Sequence, residues 1–245
     1  MNRAASKQIL AVALLASALF PRTAQCFSTG ENIHSLIVKD ALLAVLNENN
    51  LKLVTNCLQA QAGDKDLPAD RLFTSATFKN SVNFVDREQK KALDFAAQAD
   101  VSQASRYHCL KHFGKLLFVA QEFYSRSDYI EIEAAVAQYK KTDSAFNPYN
   151  IDLVDWSALI NKIRKKEPLP YGPATITKEN EEQTATPLGN STYFKTAREL
   201  AVRETQRQWE LLELLIKRRY HERALTIIAA LREASCPAEE PDSLD

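Results

Sequence analysis

The segment HFGKLLFVAQEFYSRSDYIE, from His112 to Glu131, decides the fold of this 245-residue chain. Together with the residues from Ser102 onward, it carries the strongest apolar helical pattern of the sequence, which predicts a buried helix ending near Ser125. Within a few residues the pattern changes to a dense polar and aromatic cluster, from Gln121 to Tyr129. The question is whether this cluster is a chemical site or the remains of one.

The residues on both sides of this segment also favour helices. Only five glycines are present, while Ala, Leu, Gln, Glu and Lys are plentiful, a balance that disfavours a turn-rich β-sandwich. We therefore predict an all-α fold, a single multi-helix domain over residues 27–236. Helical spacing of apolar residues predicts its other helices near residues 33–44, 51–62, 87–98, 128–141, 152–166 and 193–234, the last being one helix or two broken near Lys217–His221.

Two stretches predict irregular structure. Residues 64–86 contain Pro68 and clustered Ser, Thr and Asn. Residues 167–192 contain four prolines together with Gly172 and Gly189, and lie before the C-terminal helices. A loop of this length in a compact domain is typical of a lid or binding loop, so it is the expected variable surface.

The N-terminus predicts export. Arg3 and Lys7 precede an apolar run, Ile9–Phe20, and small residues follow, which is the order of a secretory signal peptide over residues 1–26. The alternatives are a buried core helix and a lipid anchor on Cys26. No later stretch is long and apolar enough to span a membrane, and residues 237–245 form an acidic tail.

Charge and cysteine content exclude some functions. Lys plus Arg and Asp plus Glu both number 31, so no global field predicts binding to nucleic acid or an anionic membrane, and no nucleic-acid patch is evident. Without a CxxC spacing, a thiolate zinc site is not expected. If Cys26 leaves with the signal peptide, three of the four cysteines remain in an oxidising compartment, where Cys57 and Cys109 could pair and leave Cys236 over.

Histidines and carboxylates are the candidate chemical groups. His108 and His112 have the i, i+4 spacing that lets two imidazoles reach one metal, but they lack the HExxH pattern. The alternative is that they are ordinary surface or partly buried histidines. His34 is either a ligand or a satisfied polar group near a helix start. Glu122 and Asp128 could hold a cation or do acid–base work, or could form an ion pair with Arg126 that closes the turn.

At Gly114–Glu131 the sequence resembles the pattern G-x-x-L-H-x-x-Q-D-F-Y-S-H-S-N-[WY]-x-E of the Het-C-like helical domain. That domain is itself similar to the zinc-dependent phospholipase C and S1/P1 nuclease group, all-helical secreted enzymes that hydrolyse phosphodiesters. ENIHSLIVKDAL, DRLFTSATFKNSV and YFKTARELAVRETQRQWELL resemble other parts of the domain. The resemblance implies an all-helical fold and a site frame of five residues, Phe118, Gln121, Phe123, Tyr124 and Arg126, of which Gln121, Phe123 and Tyr124 match the pattern.

The departures from the pattern concern the metal ligands. Phe118 and Arg126 stand where the pattern has histidines, and Glu122 stands at its Asp. In the earlier segment, Leu72 and Thr74 stand at the His and Asp positions. Phenylalanine has no lone pair for a metal, and arginine places a permanent positive charge where the cation would lie. The remaining candidate metal ligands are His34, Glu122 and Asp128, and no catalytic or cofactor-binding residue is assigned.

Two functions from different classes follow, with a third option beside them. The first is a secreted or periplasmic, catalytically degenerate helical domain that binds a protein, glycan or lipid and needs no cofactor. The alternative is a zinc-dependent phosphodiester hydrolase, of phospholipase C or nuclease type, with a reduced metal site. The third is a structural exported protein tethered through Cys26.

Overall fold

The computed structural model describes residues 28–29, 31–62, 64, 68, 71–140, 147–176, 178 and 187–237. The predicted signal peptide, residues 1–26, and the acidic tail beyond residue 237 lie outside these residues, as does part of the proline-containing loop. The described chain is an all-α domain, which confirms the predicted fold class. Its helices share one continuous hydrophobic core.

The helices and strands follow one another in a simple order. The helices are α1 (Ile33–Leu42), α2 (Glu48–Ala62), α3 (Phe78–Ala96), α4 (Gln103–Arg126), α5 (Tyr129–Lys140), α6 (Trp156–Arg164), α7 (Tyr193–Tyr220) and α8 (Ala224–Glu233). Short 3-10 turns lie at Pro148–Asn150 and His221–Arg223. The two-residue strands β1 (Ser28–Thr29) and β2 (Glu31–Asn32) form one antiparallel ribbon, and β3 (Pro187–Leu188) and β4 (Ser191–Thr192) form another.

Helix α4 is the centre of the fold. Its N-terminus is capped by the Ser102 hydroxyl, which accepts a hydrogen bond from the Ser105 amide at 3.2 Å. It packs against α2, α3 and α7. Gly114 allows the close approach of α2, because a β-carbon there would lie 2.9 Å from the Val54 carbonyl oxygen.

Helix α3 begins nine residues earlier than the sequence pattern predicted, so the prediction of irregular structure was wrong for residues 78–86. Phe78, Val82 and Val85 are buried at helical spacing. Phe78 packs against Phe73, with ring centroids 5.0 Å apart, and both rings contact Phe123 of α4. This aromatic packing offsets the weak helix propensity of the Ser and Asn residues in the first turn.

The C-terminal helices separate where one of the two sequence alternatives placed a break. Helix α7 ends at Tyr220, and His221 takes a positive φ of 44°. The Tyr220 hydroxyl donates a 2.6 Å hydrogen bond to the Leu93 carbonyl of α3, which fixes the end of α7 against the bundle. No disulfide joins Cys57 to Cys109, so the suggested pairing of these two cysteines is not present.

Among the described residues, no helix has the length and apolar character that a membrane crossing requires.

Candidate functional site

A buried ion-pair cluster joins α1 to the C-terminal half of α4. His34 Nε2 lies 2.9 Å from Glu122 Oε1, and Arg126 Nε donates to the other carboxylate oxygen at 2.5 Å. The Glu122 side chain is completely buried, and His34 and the Arg126 side chain are 2% and 12% exposed. The structure therefore brings together two of the candidate metal ligands, and it occupies both Glu122 oxygens with protein donors.

A chain of hydrogen bonds orients the His34 ring from the opposite side. Thr205 of α7 donates its hydroxyl hydrogen to the Ala201 carbonyl at 2.8 Å and accepts from Gln121 Nε2 at 3.0 Å. Because the Gln121 amide nitrogen is directed at Thr205, its oxygen faces His34 Nδ1 at 2.7 Å and accepts the Nδ1 hydrogen. Gln121, which matches the Het-C-like pattern, thus positions the His34 ring.

Phe118 packs against the His34 ring. Its ring centroid lies 5.1 Å from that of the imidazole, and the residue is 2% exposed. Phe118 stands at a position where the Het-C-like pattern has a histidine, and it presents an apolar face to His34 where a histidine would present a nitrogen. His34 thus contacts the Phe118 ring in addition to the Gln121 amide and the Glu122 carboxylate.

Asp128, the third candidate ligand, takes a different role at the junction of α4 and α5. Its Oδ1 accepts a 2.8 Å hydrogen bond from the Gly172 amide, and its own amide donates to the Gly172 carbonyl at 3.0 Å. Ala174 donates to the Arg126 carbonyl at 2.7 Å, and Ser127 forms an isolated antiparallel bridge with Pro173. The polar end of the opening segment is thus a docking site for part of the proline-containing loop.

We call residues 171–176 and Lys178 the strap. Lys178 is fully buried, and its ammonium group lies 3.0 and 2.9 Å from the two oxygens of Glu131 and 2.9 Å from the Ser127 carbonyl. The Tyr171 hydroxyl donates to Glu133 at 3.1 Å. A buried lysine needs an anionic partner, so the ion pair of Lys178 with Glu131 fixes the strap against α5.

A second buried carboxylate, Glu204 of α7, connects the aromatic part of the site frame. It accepts hydrogen bonds from the Tyr124 hydroxyl at 2.9 Å and from Trp156 Nε1 at 2.8 Å. Arg207 and Gln208 donate to it as well, at 2.5 and 2.6 Å. Burial raises the pKa of Tyr124 well above its usual value, and the Glu204 charge raises it further, so the tyrosine serves as a donor.

Glu204 was missed by the sequence analysis. It follows Ala197, Leu200 and Ala201 at helical spacing on the apolar face of α7, where a charged residue needs buried partners. A glutamate on that face was the signal available in the sequence. Phe123, in the same region, is fully buried and packs edge-on against Tyr124 and Trp156, with centroids 5.4 and 5.2 Å away, so it acts as packing.

His108 and His112 point to a different set of neighbours. Both stack on Phe95 of α3, with centroid distances of 4.9 and 5.4 Å. His112 Nδ1 lies 2.6 Å from a carboxylate oxygen of Glu88. The i, i+4 spacing of the two histidines thus lets both rings stack on Phe95.

Hydrogen-bonded networks join the candidate residues that the structure describes. Within the described ranges, no group of three or more His, Cys, Asp or Glu side chains is placed so that it could hold a metal ion. In the comparisons with known proteins, no family model, no curated protein and no solved structure matches the chain. The resemblance to the Het-C-like domain stays a prediction.

Proposed function

We propose that this chain is an exported, catalytically degenerate helical domain that acts by binding. The observation that carries the proposal is the Glu122 carboxylate, whose two oxygens are taken by His34 and Arg126 in the core. In the family-like pattern this region would hold metal ligands. Here, the same region holds α1, α4 and α7 together.

The chemistry of the cluster disfavours a metal ion. A hydrolytic zinc site needs three protein ligands and an open position for water. Near Glu122, the two positions at which the Het-C-like pattern has histidines carry an apolar ring, Phe118, and a guanidinium group, Arg126. A divalent cation would have to displace the Arg126 charge and break the contact between His34 and Glu122, leaving buried polar groups without partners.

The alternative, a metal-dependent phosphodiester hydrolase, keeps one observation in its favour. His34 and Glu122 are adjacent, at 2.9 Å, as two ligands of a shared metal ion would be. This function would require Arg126 to leave the carboxylate and a further ligand to enter. Asp128, the third candidate, has its Oδ1 bonded to the Gly172 amide in the strap.

Metal content and hydrolysis together test the proposal. Purified mature protein would be incubated with zinc, dialysed, and measured for bound zinc by mass spectrometry and for cleavage of bis-p-nitrophenyl phosphate with and without chelator. We expect no stoichiometric zinc that depends on His34 and no chelator-sensitive cleavage. A His108→Ala/His112→Ala variant serves as the control for zinc bound at the histidine pair on α4.

The result that overturns the proposal is one zinc ion per chain that is retained in the control variant and lost in His34→Ala, with cleavage lost in parallel. That outcome establishes the hydrolase instead.

Export is the second part of the proposal, and it rests on the sequence of residues 1–26. Mass spectrometry of the mature N-terminus tests it. An unmodified N-terminal peptide starting at or after Cys26 supports cleavage and excludes a lipid anchor. A retained residue 1 contradicts cleavage, and a lipidated Cys26 supports the tethered alternative.

A further inference from the structure

The seam between α3 and α4 presents a strip of cationic side chains. On α3, Phe84, Arg87, Glu88 and Lys91 are spaced by three and four residues and share one helical face. On α4, Lys111, His112 and Lys115 have the same spacing. Since α3 and α4 pack together, the two faces meet along one seam, and Arg71 from the preceding segment joins it.

A single carboxylate organises the middle of the seam. Glu88 is 2% exposed, and its oxygens lie 2.6 Å from His112 Nδ1, 3.0 Å from Lys91 Nζ and 3.5 Å from Arg87 Nε. Burial raises the Glu88 pKa, but the contacts with His112 and Lys91 outweigh it and lower the pKa to about 2. Glu88 is therefore ionised at neutral pH, and it holds these basic groups at fixed positions.

Two guanidinium groups of the seam lie on one aromatic ring. The guanidinium carbons of Arg71 and Arg87 lie 5.3 and 4.8 Å from the centroid of the same Phe84 ring. Two like charges on one ring repel each other. Arg71 Nε is buried and has no hydrogen-bond partner in the described structure, which is costly for a charged group.

Lys115 of α4 lies close enough to Arg71, Lys91 and Lys111 to interact with their charges. Burial lowers its pKa below the ordinary value, and the positive charges of Lys111, Arg71 and Lys91 lower it further, while Glu88 opposes them. A cation in such surroundings is destabilised unless an anion is added. The Lys91 and Arg87 side chains are 47% and 49% exposed, so an anion in solution can reach them.

We propose that this basic seam, formed by Arg71, Arg87, Lys91, Lys111 and Lys115, binds a phosphate-bearing anion. A phosphate offers several oxygen acceptors and a charge near −2, which matches guanidinium and ammonium donors set close together. The aromatic supports of Arg71 and Arg87 restrict their motion and so reduce the entropic cost of binding. The inference deepens the proposed binding role and rests on it.

The test uses two sources of phosphate, measured on the full mature protein at low ionic strength with chelator present. Calorimetry would measure inorganic pyrophosphate binding. Co-sedimentation would compare vesicles of phosphatidylglycerol and phosphatidylcholine with vesicles of phosphatidylcholine alone. Binding to pyrophosphate assigns the seam to small phosphate compounds, and binding to the anionic vesicles alone assigns it to arrayed lipid headgroups. In either case, added salt should weaken the binding, because it screens the charges.

Paired variants separate the seam from overall charge. Lys91→Gln/Lys115→Gln removes two cations from the seam, and Lys39→Gln/Lys217→Gln removes two exposed cations from α1 and α7. We expect the first variant to lose about tenfold in affinity for each cation removed, and the second to bind within about twofold of wild type. Circular dichroism confirms that both variants are folded.

Two outcomes overturn the inference. One is wild-type protein that binds neither pyrophosphate nor anionic vesicles at low salt. The other is an equal loss of affinity in both variants, which indicates a response to net charge alone. With chelator present, neither outcome bears on the zinc and hydrolysis test, so the seam and the degenerate site can fail independently.

Discussion

Replacing Arg126 by methionine tests whether the Glu122 cluster stabilises the fold. Methionine keeps an unbranched apolar stem of similar length, so the change removes the charge and hydrogen bond while retaining most of the packing. After the change, the fully buried Glu122 keeps its contact with His34 at 2.9 Å but loses the donor on its other oxygen.

The expected loss follows from burial. Removing one partner of a buried ion pair costs about 3–5 kcal/mol, and the remaining His34 contact places Arg126→Met near about 3 kcal/mol. For a domain of this size, that loss lowers the melting temperature by about 6–12 °C. Arg198→Met is the matched control, because its partner Asp40 and its own side chain are 48% and 37% exposed. Its loss should stay below about 1 kcal/mol.

Urea denaturation at neutral pH, followed by circular dichroism, measures both free energies of unfolding. A third variant, Glu122→Gln/Arg126→Met, completes the comparison. Its neutral amide can donate to His34 Nε2, which accepts because the ring hydrogen is on Nδ1, so this variant should be more stable than Arg126→Met alone. The reasoning is refuted if Arg126→Met loses no more stability than Arg198→Met.

Three further predictions concern other parts of the core, each measured by denaturation. Gly114→Ala should destabilise by about 1–3 kcal/mol despite its better helix propensity, because its β-carbon would meet the Val54 carbonyl at 2.9 Å; equal or greater stability would contradict the close packing. Glu88 has its pKa lowered from 4.5 to about 2, so its stabilisation is present above pH 4.5 and is lost as the pH falls through about 2. Glu88→Gln should remove about 3 kcal/mol of that pH dependence, and an unchanged acid transition would refute the assignment. Glu204→Gln should cost about 2–4 kcal/mol and change Trp156 fluorescence, since the indole hydrogen bond is made to this carboxylate; unchanged emission would contradict that bond.

The sequence was informative where the spacing of apolar residues is long and regular. The apolar pattern from Ser102 predicted α4 within a residue or two of its end at Arg126. The start of α3 was missed because Ser and Asn in its first turn have weak helix propensity. What holds them helical is the contact of Phe78 with Phe73 and Phe123, which no local pattern displays.

Within the candidate site, the sequence indicated Glu122 and Arg126, which are four residues apart on one helix. It also named His34 but could not bring it to Glu122, because the contact spans 88 positions of the chain. Asp128 looked equivalent to Glu122, yet its position just past the end of α4 directs it to the strap. The basic seam was hidden by the even charge balance, since its cations come from three separate segments.

The most direct test of the central claim is the nuclear magnetic resonance signal of the His34 ring nitrogens during a zinc titration. If His34 and Glu122 belong to a closed structural cluster with Arg126, the two ring-nitrogen signals of His34 stay in place at one equivalent of zinc and above. A shift of either His34 nitrogen to a metal-bound position at one equivalent, absent in the spectrum with chelator, would contradict the account.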